Sequence, residues 1–278
     1  AFVLDEGGAI IRDALPSVSA PMAMIGVIEK GYVNIKFTAK SRGGHSATPP
    51  KGTPIARLSE FVSHVERHFP LKTKMIKTVS DIFSSAAPAM SFPYRLLFGN
   101  LWLFKGLVTR LLPKMSAYGR ALLSTTIAFT MSGGSDAYNV IPSEAYVIAN
   151  LRTHPIQGIE ESFDVLKKIA SRYDVEAEIM EGNEYSPSVS TDNPEYRYLV
   201  REINKIYPEA IVAPYMIMGA TDCRFYSKIS PAALRFQACI VSNEDLGKMH
   251  GIDETLEIDS LGREVGFYED LIRNYHHS

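Results

Sequence analysis

The chain has 278 residues, of which 46% are hydrophobic and 22% charged, a balance typical of a globular protein with one large domain or two ordinary ones. Its formal net charge of −2 gives no general attraction to nucleic acid or to anionic lipid, so we expect no nucleic-acid partner. Two cysteines, Cys223 and Cys239, cannot make a disulfide framework or a cysteine-type zinc site, which favours a reducing, cytoplasmic location.

The chain starts inside a structural pattern. An apolar run over residues 1–4 leads directly into Asp5-Glu6-Gly7-Gly8, as at the end of a buried strand whose neighbours need more chain before them. There is no initiator Met and no signal-like apolar segment at the start. We therefore expect that residues preceding Ala1 belong to the same fold and are absent from this polypeptide.

Four segments alternate between apolar and polar residues, which predicts half-buried strands. They are residues 32–39, 125–131, 145–152 and 175–179. Amphipathic helices are predicted between them, at 55–69 and 159–170, because apolar residues there recur on one stripe. The order β-α-β-β-α-β predicts an antiparallel four-stranded sheet with both helices on one face.

The segments on either side of this unit have a different pattern. Apolar runs typical of fully buried strands occur at residues 22–28, 211–218 and 232–241. A final helix is predicted after Ser260, which has the chemistry of an N-cap. We interpret residues 1–29 and 184–278 as two pieces of one α/β domain, interrupted by the β-α-β-β-α-β unit of residues 30–183.

An apolar insertion with several prolines occupies residues 70–120 inside that unit. Lys105 and Arg110 interrupt its longest apolar run, which is too short for a membrane span of about 20 residues. Two interpretations stay open for the insertion. It forms helices that pack on the sheet unit, or it forms the wall of an apolar substrate pocket or a flap that touches a membrane.

Acidic residues and a histidine follow the predicted buried strands of the α/β domain. Asp5 and Glu6 end the first strand, where open α/β sheets place their ligand crevice, and only one of them can face a given metal. Asp222 ends another strand, and His250 precedes the acidic pair Asp253-Glu254, which could fix its tautomer. Solvated carboxylates and a loop histidine are the alternative interpretation.

Three further polar residues lie in or beside the alternating strands. His45 follows Gly43-Gly44, which permit a tight turn, so a neutral imidazole there could donate a hydrogen bond to a carbonyl oxygen that gains charge. Asn139 follows a second glycine pair. Arg152 ends a strand and has the planar fork that binds a carboxylate, although a surface ion pair is an alternative role.

The order of these motifs along nearly the whole chain resembles the dizinc aminoacylase/carboxypeptidase family of metallopeptidases. The motifs are Leu4-Asp5-Glu6-Gly7, Gly43-Gly44-His45-Ser46, Asn139-Val140-Ile141-Pro142, Arg152, Thr221-Asp222 and His250-Gly251-Ile252-Asp253-Glu254. The insertion, with Phe92-Pro93 and Asn100-Leu101-Trp102, is similar to that of the Gly-Xaa carboxypeptidase and N-acyl-amino-acid hydrolase branch.

The resemblance implies a fold: a zinc-peptidase-type α/β domain, partial here, with an inserted ferredoxin-like lid that also forms a homodimer. It implies an activity, which is hydrolysis of an amide bond beside the free carboxylate of a peptide or an N-acyl amino acid, with two zinc ions per active site. The roles it implies are metal ligation by Asp5 or Glu6 and by His250, carbonyl polarisation by His45 in the partner's active site, and substrate binding by Asn139, Arg152 and Asp222.

This sequence departs from the family pattern in lacking the upstream metal ligands and the general-base glutamate, which would precede Ala1. We therefore expect the zinc site to be incomplete or absent here, and the polypeptide alone to be inactive. One alternative is a non-catalytic dimerisation or binding module that pairs through the sheet edge 32–39. Another is a cysteine hydrolase that uses Cys223 and His250.

Overall fold

The computed structural model describes residues 2–249 and 251–275. The strands are β1 (Phe2–Asp5), β2 (Ile10–Arg12), β3 (Met22–Glu29), β4 (Gly31–Lys40), β5 (Gly44–His45), β6 (Thr126–Gly133), β7 (Val140–Ile141), β8 (Glu144–Thr153), β9 (Glu176–Asn183), β10 (Ile211–Ile217), β11 (Ala232–Arg235) and β12 (Ile240–Ser242). The helices are α1 (Pro54–Arg67), α2 (Lys77–Ala86), α3 (Phe92–Phe98), α4 (Leu101–Met115), α5 (Ala117–Leu123), α6 (Ile159–Ala170), α7 (Pro194–Ile206), α8 (Cys223–Tyr226), α9 (Asn243–Leu246) and α10 (Ile258–Asn274).

The chain folds into two compact units. The first unit contains Ala1–Glu29, Met75–Leu112 and Ser186–Ser278, and the second contains Lys30–Lys74 and Pro113–Tyr185. Each unit has its own sheet. The mixed α/β class expected from the sequence is present in both.

The second unit contains an antiparallel sheet in the order β6-β8-β4-β9. Alternate residues of β4 are buried, and Val33, Ile35 and Phe37 form one core with the apolar stripes of α1 and α6. Pro54 starts α1, where the missing N–H of proline has no cost, and acidic residues begin α6 while lysines end it, which suits the helix dipole. Both helices therefore cover the same face of the sheet, as the sequence predicts.

The predicted free edge at residues 32–39 is wrong. These residues lie within β4, which pairs with β8 on one side and with β9 on the other. The physical reason is that β9 runs to Asn183, beyond the predicted end at residue 179, and pairs with β4 from Thr38 to Tyr32. The edges of this sheet are β6 and β9.

The first unit is built on β3, a strand buried over its whole length that pairs with β2, β10 and β11. β1 runs parallel to β11, and β10 runs parallel to β3, so Asp5 and Ile217 each end a strand that has a parallel neighbour. Helix α7 packs against β10, β11 and α10, and Asn193 caps it by accepting from two backbone N–H groups of its first turn.

Much of the insertion belongs to the first unit, not to the sheet unit in which the sequence places it. Helix α2 buries Val79, Ile82 and Phe83 and packs against β10, which explains why residues 75–112 associate with that unit. The backbone N–H of Ser91 also donates to Ser17 Oγ at 2.7 Å. Among the described residues, no helix has the length and apolarity required to cross a bilayer.

Candidate functional site

In the first unit, β1 and the turn after β10 hold two of the candidate residues close together. The backbone N–H of Cys223 donates to Asp5 Oδ2 at 2.6 Å, and that of Glu6 donates to Asp5 Oδ1 at 2.9 Å. Both carboxylate oxygens are therefore oriented by the backbone, while lone pairs remain for another partner. Glu6 itself is exposed to solvent.

Asp222 precedes Cys223 in the same turn and is exposed. It occupies the N-cap position of α8, but its side chain makes no capping hydrogen bond. The contact of Cys223 with Asp5 thus places the Asp222 turn beside the end of β1. His250, the predicted imidazole ligand, lies outside the described residues.

A buried ion pair is hydrogen-bonded to this turn. Arg235, fully buried in β11, donates from Nε to Glu29 Oε1 at 2.7 Å and from Nη1 to the carbonyl of Ala233 at 2.8 Å. The Thr221 hydroxyl donates to the same oxygen of Glu29. Because buried charges need partners, this network fixes the position of Thr221, one residue before Asp222.

Our sequence-based prediction missed this ion pair. Two charged residues in the sequence indicate it. Glu29 directly follows the apolar run 22–28, and Arg235 lies within the apolar run 232–241. The close approach of strands around Arg235 also requires glycine, because a Cβ added to Gly26 would lie 2.9 Å from the Arg235 Cβ. Such charges within buried strands indicate a polar network.

The described residues do not by themselves fit a zinc site. Among them, no group of three or more His, Cys, Asp or Glu side chains is arranged to hold a metal ion. Zinc takes four donors, whereas the described candidate ligands are the neighbours Asp5 and Glu6, and Asp5 already accepts two backbone hydrogen bonds.

In the second unit, a two-stranded ribbon brings His45 and Asn139 together. β5 pairs with β7 so that His45 lies opposite Val140, and the backbone N–H of Ser46 donates to the carbonyl of Asn139 at 3.0 Å. Gly43 precedes the ribbon with a φ of 69°, in the left-handed region that favours glycine.

The imidazole of His45 has a defined hydrogen-bonding role within this ribbon. Its Nδ1 accepts from the backbone N–H of Ala47 at 3.0 Å. In the neutral ring the proton therefore resides on Nε2, which becomes the donor. The side chain is exposed, so the donor is available to a ligand.

Arg152 lies on the four-stranded sheet, at the end that is farther from the ribbon. It pairs with Tyr32 at the start of β4, whereas the ribbon follows Lys40 at the end of that strand. The span from Tyr32 to Lys40, at about 3.3 Å per residue, separates Arg152 from the ribbon by roughly 26 Å. Within a single copy of the second unit, Arg152 and His45 therefore cannot contact the same small molecule.

A second cation lies close to Arg152. Arg152 stands over the Tyr32 ring at 6.0 Å and takes part in none of the ion pairs formed among the described residues. Lys30 is buried, and its ammonium donates to the carbonyl of Ser124 at 2.8 Å. Burial, and then the charge of Arg152, lowers the pKa of Lys30 to about 7.

The cysteine-hydrolase alternative lacks an activated thiol. Cys223 is buried, and its Sγ donates to the carbonyl of Leu234 at 3.4 Å. Burial raises the pKa of this thiol to about 12, so it is not a thiolate at neutral pH. The other half of the supposed pair, His250, lies outside the described residues.

Comparison with known proteins gives the class of protein to which these two units correspond. Residues 27–178 match the peptidase dimerisation domain of the M20 type. The human N-fatty-acyl-amino acid synthase/hydrolase PM20D1 is 31% identical over 277 residues, which cover 99% of this chain and 55% of that protein. The Dictyostelium discoideum protein described as "Probable carboxypeptidase S-like 2" is 33% identical, with 98% and 52% covered.

Solved structures share the fold at low sequence identity. The M20 family metallo-carboxypeptidase Sso-CP2 from Sulfolobus solfataricus has a TM-score of 0.55 at 15% identity, covering 98% of this chain and 61% of its own. The di-peptidase Dug1p from Saccharomyces cerevisiae has a TM-score of 0.56 at 11% identity, covering 95% and 58%. The chain belongs to the M20 peptidase family, and it spans about half the length of the curated relatives it matches.

These matches confirm the family resemblance and the mixed α/β fold with a dimerisation domain. The individual site residues remain predictions.

Proposed function

We propose that this polypeptide is part of a zinc-dependent amidohydrolase that cleaves an amide bond beside a free C-terminal carboxylate. The observation that carries the proposal is the fixed tautomer of His45 next to Asn139 in the β5–β7 ribbon. An Nε2–H donor on a strand whose backbone is bonded to Asn139 suits the oxygen of a carbonyl that becomes tetrahedral. His45 polarises that carbonyl, and Asn139 assists it.

Arg152 binds the substrate carboxylate in this proposal. Its guanidinium takes part in none of the ion pairs among the described residues, and it stands over the Tyr32 ring at 6.0 Å. A bidentate arginine matches the planar geometry of a carboxylate. Asp222, exposed beside the end of β1, contributes to substrate binding in the first unit.

The proposed enzyme is a homodimer formed through the dimerisation domain. In one subunit the ribbon that carries His45 follows the end of β4 roughly 26 Å from Arg152, so a single substrate needs one of these residues from each subunit. Edge strand β6 offers unsatisfied backbone groups to a second copy, and it borders a groove along α1. Ile55, Val62, Phe129 and Met131 are among the residues that line this groove.

The substrate class is a peptide or an N-acyl amino acid. The relatives named above are an N-fatty-acyl-amino acid synthase/hydrolase and a carboxypeptidase S-like protein, both of which are named for substrates with a terminal carboxylate. An apolar acyl group on the other side of the amide is favoured by the leucine- and phenylalanine-rich insertion.

We propose that residues 1–278 alone bind zinc weakly and do not hydrolyse the substrate. Asp5 or Glu6, together with His250, would provide the protein's donors from this part of the chain. Those donors do not complete a four-coordinate site. Because metal affinity depends on a full donor set, the remaining ligands must come from elsewhere in the enzyme.

The role of the carboxylate can be tested with matched substrates. An N-fatty-acyl amino acid and a dipeptide would each be offered as the free acid and as the C-terminal amide to the zinc-loaded product of the whole gene. We expect release of the amino acid from the acids, and a fall of about 100-fold or more for the amides, as one bidentate ion pair is lost. Equal rates for acid and amide would contradict the proposal.

A non-catalytic dimerisation module remains the second candidate, because the matched family domain is itself a dimerisation domain. The mass of the native protein separates the candidates. A native chain of 278 residues favours the module, whereas a longer chain favours the enzyme. The cytoplasmic location stays a prediction.

A further inference from the structure

Helices α3 and α4 of the insertion expose apolar side chains to solvent. Trp102 is 83% exposed, Phe92 66%, Leu103 61% and Leu107 50%. On α4, Leu101 and Val108 face the protein, while Leu103, Leu107 and Leu111 recur every four residues on the exposed side. Large apolar side chains grouped in this way on a surface mark an interaction site.

The segment that forms this surface carries charges of one sign. Between Asp81 and Leu112 the chain has no acidic residue and three basic ones, which are Arg95, Lys105 and Arg110. The whole chain carries −2 and this segment +3, so the other residues together carry −5. The weak overall charge therefore conceals a positively charged segment that also exposes apolar side chains.

The basic residues on α3 and α4 are available to a partner. Arg95, Lys105 and Arg110 are exposed, and none of them joins an ion pair among the described residues. Arg110 lies between Leu107 and Leu111 on the exposed side of α4. Arg110 thus shares the exposed side of the helix with apolar side chains, instead of the polar outer face of an ordinary surface helix.

We propose that the exposed side of α3 and α4, from Phe92 to Leu111, docks on a phospholipid bilayer with anionic head groups. Tryptophan, leucine and phenylalanine enter the interface while lysine and arginine meet the lipid phosphates, as in helices that lie in the membrane plane. A second copy of the chain is a poorer occupant, because a two-fold interface would place like charges together.

This docking is independent of the proposed hydrolysis, and Trp102 reports it directly. The chain contains one tryptophan, so its fluorescence comes from this surface alone. We expect the emission to shift to the blue when the 278-residue chain is mixed with phosphatidylcholine vesicles that contain about one-third phosphatidylserine. Vesicles of phosphatidylcholine alone should give a smaller shift, and added salt should reverse the anionic effect.

Cosedimentation with the same vesicles tests the residues. Lys105→Glu/Arg110→Glu should weaken binding by at least roughly 25-fold, since each basic residue near an anionic surface contributes about fivefold and each new carboxylate is repelled. Leu103→Ser and Leu107→Ser should each weaken it by roughly tenfold. The matched controls are Lys168→Glu/Arg172→Glu and Ile272→Ser, which alter exposed residues elsewhere on the chain and should leave binding unchanged.

Three outcomes would overturn the proposal. One is no blue shift and no cosedimentation with anionic vesicles. Another is an equal loss of binding in the test and control variants, which would indicate nonspecific adsorption. The third is a blue shift that depends on protein concentration and not on lipid, which would assign the surface to a second copy of the chain.

Discussion

The backbone N–H of Cys223 donates to Asp5 Oδ2 at 2.6 Å, across 218 positions of sequence. This hydrogen bond joins the end of β1 to the turn after β10. Replacement of Asp5 by Ala should therefore destabilise the first unit by about 1–3 kcal/mol, because the N–H groups of Cys223 and Glu6 lose their acceptor. Urea denaturation measures this change.

The adjacent carboxylate provides the control for that experiment. Glu6 is exposed, so Glu6→Gln should change the free energy of unfolding by less than about 0.5 kcal/mol. Equal effects of the two substitutions would show that Asp5 does not hold the turn.

The buried ion pair of Glu29 and Arg235 should behave as one unit. Arg235→Met leaves a buried carboxylate without its cation and should cost about 3–5 kcal/mol in unfolding free energy. Glu29→Gln/Arg235→Met removes both charges and should cost less than the sum of the two single substitutions. Simple additivity in this double-mutant cycle would contradict the proposed coupling.

Lys30 should make the stability of the second unit depend on pH. Its pKa is about 7 in the folded state against 10.5 in the unfolded chain, so the unfolded state binds more protons between these values. Stability from Lys30 should therefore rise from pH 7 to pH 10.5, by up to a few kcal/mol, and be lost as pH falls through 7. Urea denaturation at pH 7 and pH 9.5 measures this change.

A substitution at Lys30 separates its contribution to the pH dependence of stability from those of the other lysines and the tyrosines. Lys30→Met cannot titrate, so the difference in unfolding free energy between wild type and variant should increase in favour of wild type as pH rises. A difference that does not change with pH would exclude the depressed pKa.

The separation of His45 from Arg152 predicts complementation between inactive subunits of the active enzyme. His45→Ala and Arg152→Ala should each abolish most activity when tested alone. A mixture allowed to exchange subunits should recover about a quarter of wild-type activity, because half of the dimers are mixed and each has one intact site. Failure to recover activity despite proven exchange would contradict a site shared between subunits.

The elements that follow a local pattern were predictable from sequence. The alternation in β4 and the stripes of α1 and α6 come from burial on one face, which the residue order records directly. Ser260, predicted as an N-cap, instead lies within α10 and accepts from the backbone N–H of Ile240 at 2.7 Å. Its hydroxyl has the chemistry of a cap, but a distant strand supplies the donor.

Pairings between distant residues could not be predicted from one sequence. The position of β4 inside its sheet depends on β9, and the association of α2 with the first unit depends on β10. The Glu29–Arg235 pair joins residues 206 positions apart, and the pairing of β5 with β7 is similarly non-local. Sequence motifs identified the candidate residues, whereas the structure determined which of them are neighbours.

We propose that this chain is part of a zinc-dependent hydrolase and is inactive alone. The most direct measurement is release of the amino acid from an N-fatty-acyl amino acid by two purified proteins, the 278-residue polypeptide and the product of the whole gene. We predict release by the whole-gene product that a chelator stops and zinc restores, with no release above buffer by residues 1–278. Chelator-sensitive release by the 278-residue polypeptide would contradict this account.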